Sequence, residues 1–398
     1  MRRFKNRVSW AGLLASTVLA ATALAQDSSL PPLPIEATGT VQSLPAKYPD
    51  EWFLVHDASF FHMSDGKVYV IDTSADTVAE QVKGMFNVVL MGNIGQSRRR
   101  GEIYAAETFH SRGTRGTRMD VLTIWDMASL APKGEVVWPT PKRYMGMPQR
   151  FAVTPIDNDN LLLVVNFTPA TSVTIIDLDT REIVNEVATP GCLMAYPTGQ
   201  RGFSSLCADG RLMSTQLARD GSLIKQTRSD VFFNSDDSPI FEHTAFIEGT
   251  AYFPSFSGEV YPVNMQGKVA QVGKPWDLVT KEERAGNWRP GGIGLIDADD
   301  HGHFYILMHP DGADGTQNGG GSEVWVFAAA KRERVLKIQL QAWGLSLAVS
   351  RGKKPMVLVT NPTDMSLELY DGTSGEYIRS VKDFGQETPL MLHASYQD

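Results

Sequence analysis

The 398-residue chain has little cysteine and less of what usually marks catalysis. Its two cysteines, Cys192 and Cys207, make an even count, which in an oxidising compartment suggests one disulfide. That bond would close a loop of about 15 residues, worth roughly 3 kcal/mol in the chain-entropy view. Two free thiols, reactive or metal-binding, are the alternative, although no neighbouring histidine supports a metal site. No Gly-x-Ser-x-Gly elbow displays a nucleophilic serine, and no glycine loop of either common phosphate-cradling type is present. There is no Cys-x-x-Cys-His for covalent haem. Basic residues number 37 against 45 acidic ones, a formal charge of −8, and no basic, aromatic-rich patch offsets it, which argues against nucleic-acid binding.

Long apolar stretches are missing except near the start. Arg2, Arg3, Lys5 and Arg7 precede an apolar run from Trp10 to about Leu24, and Ala23-Leu24-Ala25 precedes Gln26. This is the layout of a secretory signal over residues 1–25, cleaved near Ala25. The run is short for a bilayer span of about 20 residues, so the mature chain is expected to be soluble, without a membrane anchor, in the periplasm. The signal holds four basic and no acidic side chains, so its loss leaves a charge of −12. Residues 26–47, with many Pro, Ser and Ala, look like a flexible N-terminal arm.

From there on, short alternating apolar runs are broken by Gly, Asp, Asn and Pro, the pattern of strands and turns. A single short helix is expected near Thr280–Ala285, where Thr280 precedes Lys281-Glu282-Glu283 as an N-cap would. One strand pattern recurs. Its clear copies are Lys67-Val-Tyr-Val-Ile-Asp72, Asp120-Val-Leu-Thr-Ile-Trp-Asp126 and Ser172-Val-Thr-Ile-Ile-Asp177. Arg211–Gln216 and Glu259–Asn264 are weaker, and Glu323–Ala328 and Ser366–Asp371 complete the set. The mean interval of about 50 residues suits a four-stranded propeller blade. A lone four-stranded sheet leaves its faces exposed, whereas a closed ring of blades covers them. The expected fold is therefore all-β, a seven-bladed β-propeller of four-stranded antiparallel blades over residues 48–398. A β-sandwich pair is the competing architecture.

Eight histidines are scattered along the chain. His301 and His303, in Asp299-Asp300-His301-Gly302-His303, read as a turn between strands more readily than as metal ligands. Arg98-Arg99-Arg100 reads as a solvated turn, and Gly319-Gly320-Gly321 as a flexible loop before a strand. Neither a catalytic set nor a metal site emerges, so the chain reads as a platform. Phe60-Phe61-His62-Met63 opens the first blade in a polar setting, where bulky rings line a channel or an interface core, or simply pack.

Several segments together resemble one family. They are His110-Ser-Arg-Gly-Thr-Arg115-Gly-Thr-Arg118-Met-Asp120 running into Val121–Asp126, Phe167-Thr-Pro-Ala-Thr-Ser-Val-Thr-Ile-Ile-Asp177, the span Cys192 to Gly210, and Asn287-Trp288-Arg289-Pro290-Gly291-Gly292. From about Asp57 to near the C-terminus the chain is similar to the large, or heavy, subunit of the quinoprotein amine dehydrogenases, which act on methylamine or aromatic amines. The resemblance implies a seven-bladed propeller without cofactor or catalytic residue of its own. It implies a small partner subunit carrying tryptophan tryptophylquinone, and an assembly of two large and two small subunits. A primary amine would condense with that quinone and leave as aldehyde plus ammonia, and electrons would pass singly to a blue-copper protein of the amicyanin or azurin kind. It further implies a phenylalanine narrowing the substrate channel, at Phe61 with Phe60 as the alternative, and a disulfide between Cys192 and Cys207. Met308-His309-Pro310-Asp311-Gly312-Ala-Asp-Gly315-Thr316 and Ser322–Val326 look closer to the aromatic amine branch, while Gln96-Ser-Arg-Arg-Arg100 departs from the compact turn expected there. Two rivals remain: a propeller hydrolase such as a lactonase, which needs a metal held in the central channel by converging Asp, Glu, Asn or His, and a binding scaffold without an enzyme partner.

Overall fold

The computed structural model describes residues 43–58, 63–385 and 389–395, with the side chain of Val78 excepted. Gln42–Asp398 form one compact unit. Its strands fall into seven antiparallel sheets, the blades of a β-propeller. Blade 1 joins the two ends of the chain. From the axis outward it runs Pro389–Ala394, Trp52–Asp57, Lys67–Asp72 and Val82–Asn87. The other blades are continuous in sequence, with inner strands Asn93–Ser97, Val153–Ile156, Cys192–Pro197, Ala245–Ile247, Ile296–Ala298 and Leu347–Val349 in blades 2 to 7. Two blades split one position between short strands. In blade 5, Gln271–Val272 and Trp276–Asp277 share the outer edge, and in blade 6, Arg289–Pro290 and Ile296–Ala298 share the inner one.

All seven copies of the repeated pattern are third strands: Lys67–Asp72, Arg115–Asp126, Ser172–Asp177, Leu212–Leu217, Glu259–Asn264, Gly321–Ala328 and Ser366–Asp371. A third strand is paired on both edges and covered on both faces, so it keeps a tight run of β-formers. The outer strands have one solvated face and read less clearly, as in Glu182–Ala188, where exposed positions alternate with half-buried ones.

The core lies between blades rather than within any one of them. Phe53, Val55 and Ile71 of blade 1 meet Leu358, Leu367 and Leu369 of blade 7. On the other face of blade 1, Leu54, Val68 and Val70 meet Ile94 and Ile103 of blade 2. Further clusters join blades 2 and 3, blades 3 to 5 and blades 5 to 7. Every neighbouring pair is thus sealed by apolar contact, and the ring closes. Ahead of blade 1, the Leu44 N–H bonds Ala128 O, and the buried Tyr48 hydroxyl donates to Met127 O at 2.6 Å.

The expected helix forms as Lys281–Ala285, and Thr280 and Glu283 cap it reciprocally. Asp299 to His303 is a turn in which Asp299 accepts the N–H groups of His301 and His303. The arginine run is also a turn, but only Arg99 is well exposed. Arg100 reaches Asp159 O and Asp179 on blade 3, and Arg98 donates to Tyr48 O. Gly320 sits at φ +90°, and a Cβ there would meet Gly344 O at 2.0 Å, so the glycine triplet is wedged against the last residue of blade 6.

Arg150, almost fully buried, crosses the axis. It lies in the turn entering blade 3, yet its Nε donates to Leu392 O of blade 1 at 3.2 Å. Its Nη1 donates to Ile296 O of blade 6 at 2.7 Å, and its Nη2 to Leu347 O of blade 7. Asp297 Oδ1 lies 3.7 Å from Nη1 as counter-charge. Two buried histidines, His243 and His393, feel the charge of this cation, and a third, His56, lies near His393. Burial pushes His56 down to about 4, and burial with the nearby Arg150 charge pushes His243 down to about 3. Both are therefore neutral in the folded protein and proton-binding near pH 6.5 once unfolded, so stability falls as pH drops from about 6.5 toward 4. Both ring nitrogens of His56 also lack a hydrogen-bond partner among the described residues. His56→Leu is expected to retain the fold and to lose a pH-dependent term on the order of 3 kcal/mol between pH 6.5 and 4. Urea unfolding of both proteins at pH 6.5 and pH 4 measures it, and parallel pH profiles would show that His56 contributes nothing.

Candidate functional site

Inner strands all run the same way, so connections entering them lie at one end of the ring, together with the loops joining second to third strands. At this end lie the hairpin tip of blade 2, the turn after Phe167, the disulfide, Asn287–Gly292 and the loop after His309. All but the last belong to the segments that carry the family resemblance, and the loop after His309 is the one likened to the aromatic amine branch. The end of the ring that gathers them is the candidate functional end.

Its most prominent feature is the hairpin Glu102–Arg112 and Arg115–Asp126, whose strands are about twice the usual length. Beyond Val121 its residues are mostly exposed, with Phe109 and Met119 paired across it at 36% and 45% exposure. Arg112 and Arg115 stand at the tip, and no acidic residue lies between Glu107 and Asp120. Around the same end, Met145, Phe167, Val231 and Trp343 are exposed apolar side chains.

A buried polar network holds the hairpin's base. Asp120 accepts from Arg118 Nε and Nη2, both at 2.9 Å, and from the Thr108 hydroxyl at 2.7 Å. It also accepts the N–H groups of Lys142 and Arg143. Burial alone would raise its carboxyl, but Arg118, Thr108 and the Arg143 N–H outweigh that and lower it. The Arg143 guanidinium, fully buried, donates to Thr108 Oγ1 at 2.6 Å, Tyr144 O at 2.7 Å and Leu90 O at 2.8 Å. It thus ties the hairpin to the segments entering blades 2 and 3. Beside it, burial pushes Glu107 up to about 7 against the hydrogen bonds from Thr123 and the Val89 N–H. The sequence reading missed Arg143 and the role of Asp120, because apart from Arg118 and Tyr144 their side-chain partners lie 12 to 53 residues away and form no local motif.

Cys192 and Cys207 are bonded, with Cα atoms 3.9 Å apart, as cross-strand partners in blade 4. The bond borders a cavity of about 320 Å³ walled by Phe167, Leu193, Leu206, Phe233 and Ile240. On blade 6, His309 Nδ1 lies 3.0 Å from Pro310 O, and its ring centre is 6.2 Å from that of Trp343. Phe60 and Phe61 lie outside the described residues. On one side of them, Ala58 is buried at this end of the axis with Ile293, Leu390 and Met391. On the other, Met63 O accepts the N–H of Leu90.

Among the described residues no group of three or more His, Cys, Asp or Glu side chains is placed to hold a metal ion. Trp288 and Trp325 are adjacent, with ring centres 5.2 Å apart, but Trp325 is fully buried, with Arg334 and Lys337 over its ring. That pair packs the outer part of blade 6 and is closed to a substrate.

Two predictions follow from this end. Asp120→Ala leaves the Arg118 guanidinium and the N–H groups of Lys142 and Arg143 without their buried acceptor and should cost about 3–5 kcal/mol, measured by urea unfolding; a loss under about 1 kcal/mol would show that the network is dispensable. The double change Cys192→Ser and Cys207→Ser should lower stability by about 2–3 kcal/mol while leaving the activity of the folded assembly unchanged. Activity lost at full folding would give the sulfurs a chemical role.

The family model described as methylamine dehydrogenase heavy chain (MADH) matches residues 51–395. The methylamine dehydrogenase heavy chain of Paracoccus versutus is 28% identical over 296 residues, 73% of this chain and 68% of that one. That of Methylobacillus flagellatus is 24% identical over 395 residues, 96% of this chain and 97% of that one. In structure, a putative 6-phosphogluconolactonase from Bacteroides fragilis superposes with a TM-score of 0.59 at 12% identity, covering 86% of this chain and 98% of that one. At that identity the likeness carries the fold alone. With the family match spanning every blade, the chain belongs to the methylamine dehydrogenase heavy chain family.

Proposed function

We propose that this chain is the large, cofactor-free subunit of a periplasmic amine dehydrogenase, exported by a signal cleaved near Ala25. Its partner is a small subunit carrying tryptophan tryptophylquinone, in an assembly of two large and two small subunits. A blue-copper protein of the amicyanin or azurin kind accepts the electrons. The observation that carries this reading is the family match over residues 51–395, joined to the gathering of the resemblance segments at one end of the ring. When bound in the partner, the quinone supplies the two-electron oxidation of a primary amine to aldehyde and ammonia.

The residues of this chain would bind, position and exclude water. The hairpin offers Phe109 and Met119 as an apolar pair and Arg112 and Arg115 as charges for an acidic partner surface. Asp120 and Arg143 hold its base in one position. Phe61, with Phe60 beside it, would narrow the amine's path sterically. The likeness of Met308–Thr316 to the aromatic amine branch sets aromatic amines beside methylamine as candidate substrates, and a panel of amines decides between them.

The native assembly, purified from its host, should contain a small second subunit and a visible quinone band that bleaches on adding a primary amine. A lone, colourless, amine-inert propeller would overturn the reading in favour of a scaffold. In the active assembly, Phe61→Ala should change the ratio of kcat/KM between a bulky aromatic amine and methylamine by about tenfold or more. An unchanged ratio would remove Phe61 from the channel.

A further inference from the structure

One inner strand differs from the other six in how the chain holds it. In blades 2 to 7 the inner strand runs on into the second strand, whereas Pro389–Ala394 follows its partner Trp52–Asp57 by more than 300 residues. It can therefore leave the ring without pulling a neighbouring strand with it. Both strands of this seam carry a buried histidine. His56 stands opposite Met391 and His393 opposite Leu54, so the two rings are diagonal neighbours on one face of the sheet. His56 is fully buried and His393 nearly so. Neither ring nitrogen of His56 has a hydrogen-bond partner among the described residues.

The charged groups around the pair are few. The Arg150 guanidinium, from the turn entering blade 3, donates to Leu392 O next to His393, and His243 at the entry to blade 5 also acts on His393. The carboxylate that acts on His393 is Asp297 of blade 6, already shared by Arg150 and Arg351 at 3.7 and 2.8 Å. Asp57 follows His56 but points to the opposite face, toward Gly385 and Tyr69. The inner strands Asn93–Ser97, Val153–Ile156, Ala245–Ile247 and Leu347–Val349 bring no ionisable side chain. A proton on either ring would thus sit in an enclosed site close to a fixed cation, with the nearby carboxylate committed elsewhere. Such a buried charge is strongly unfavourable. Burial holds His56 down to about 4, and burial with the Arg150 charge holds His393 well below the usual histidine range. Release of the strand returns both rings to water, where each takes up a proton near pH 6.5. The released state therefore gains protons as pH falls below about 6.5, and acid favours release.

We propose that this seam is an acid-operated latch: on acidification Pro389–Ala394 detaches from the ring while blades 2 to 7 keep their fold. Leu390 and Met391 pack with Ala58 and Ile293 at the hairpin end, so that apolar cluster opens with the strand. The loss is local, unlike the unfolding of the whole ring, and it reverses when the pH is restored. Peptide-level hydrogen exchange of the mature protein, in the assembly in which it purifies, tests this at pH 7 and pH 5. After division by the intrinsic exchange rate at each pH, the opening constant of Leu390–Ser395 should rise about tenfold or more between the two. At pH 5 it should also exceed that of Ser172–Asp177 in blade 3 by at least about tenfold, the mark of an opening that does not pass through global unfolding. His56→Leu with His393→Leu removes both rings and should make the seam's opening constant the same at the two pH values. Each single variant should reduce the rise without abolishing it, so the test stands even where the double variant does not fold. No rise in the wild type, equal opening constants for the two strands at pH 5, or a rise that the leucine variants leave intact would each overturn the latch.

Discussion

The pairing of Trp52–Asp57 with Pro389–Ala394 is the constraint on which the rest depends. Until the last strand of the chain finds the first, blade 1 lacks its inner strand and the ring is open at both of its flanks. The apolar faces of blades 7 and 1 then have nothing to cover them, and the clusters between them cannot form. Closure costs the entropy of joining segments more than 300 residues apart, a cost that grows only slowly with length. The return is continuous burial around the ring. Polar contacts then fix the geometry of the closed state. Gln96 Nε2 of blade 2 donates to Ala394 O of blade 1, and the Ser346 hydroxyl beside blade 7 donates to Leu390 O.

The repeat was legible for a definite reason. Third strands are enclosed on every side, so burial keeps their Val, Ile, Leu and Tyr pattern close to regular, and seven such strands mark seven blades. Inner strands were hidden because they face the axis and each other, where local demands differ. The inner strands Ala245–Ile247, Ile296–Ala298 and Leu347–Val349 are also only three residues long, too short for an alternating pattern to register. The helix was readable from Thr280 and Glu283 because a capping box is local in sequence. The disulfide was suggested by parity, and the registry of adjacent strands explains it. Arg143 and Asp120 were opaque because most of their hydrogen bonds join separate elements. The reading of Arg98–Arg100 as a solvated turn holds for the turn and for Arg99, while Arg100 reaches a carboxylate, Asp179, that lies far along the chain.

Family kinship and physical layout point to the same end of the ring by separate routes. The resemblance rests on segments chosen from sequence alone, and strand polarity places them together beside the exposed hairpin. Conserving stability does not require that convergence, since blade contacts form along the whole ring. An end that combines an ordered projecting hairpin, exposed Phe167 and Trp343, and few charges capable of acid–base work is suited to holding a partner. Burial pushes Glu107 up to about 7, and the side chain is enclosed beneath the hairpin, where Thr123 and the Val89 N–H hold it.

At the hairpin end of the axis, Ala58, Ile293, Leu390 and Met391 form an apolar cluster, and the Ser346 hydroxyl accepts from the Gly294 N–H and donates to Leu390 O. Below it, Arg150 spans the channel to carbonyls of three other blades, amid histidines held neutral. Arg150 thus ties the inner strands of blades 1, 6 and 7 to the turn entering blade 3, so four blades share one buried cation, and each of its hydrogen bonds contributes about 1.5–3 kcal/mol.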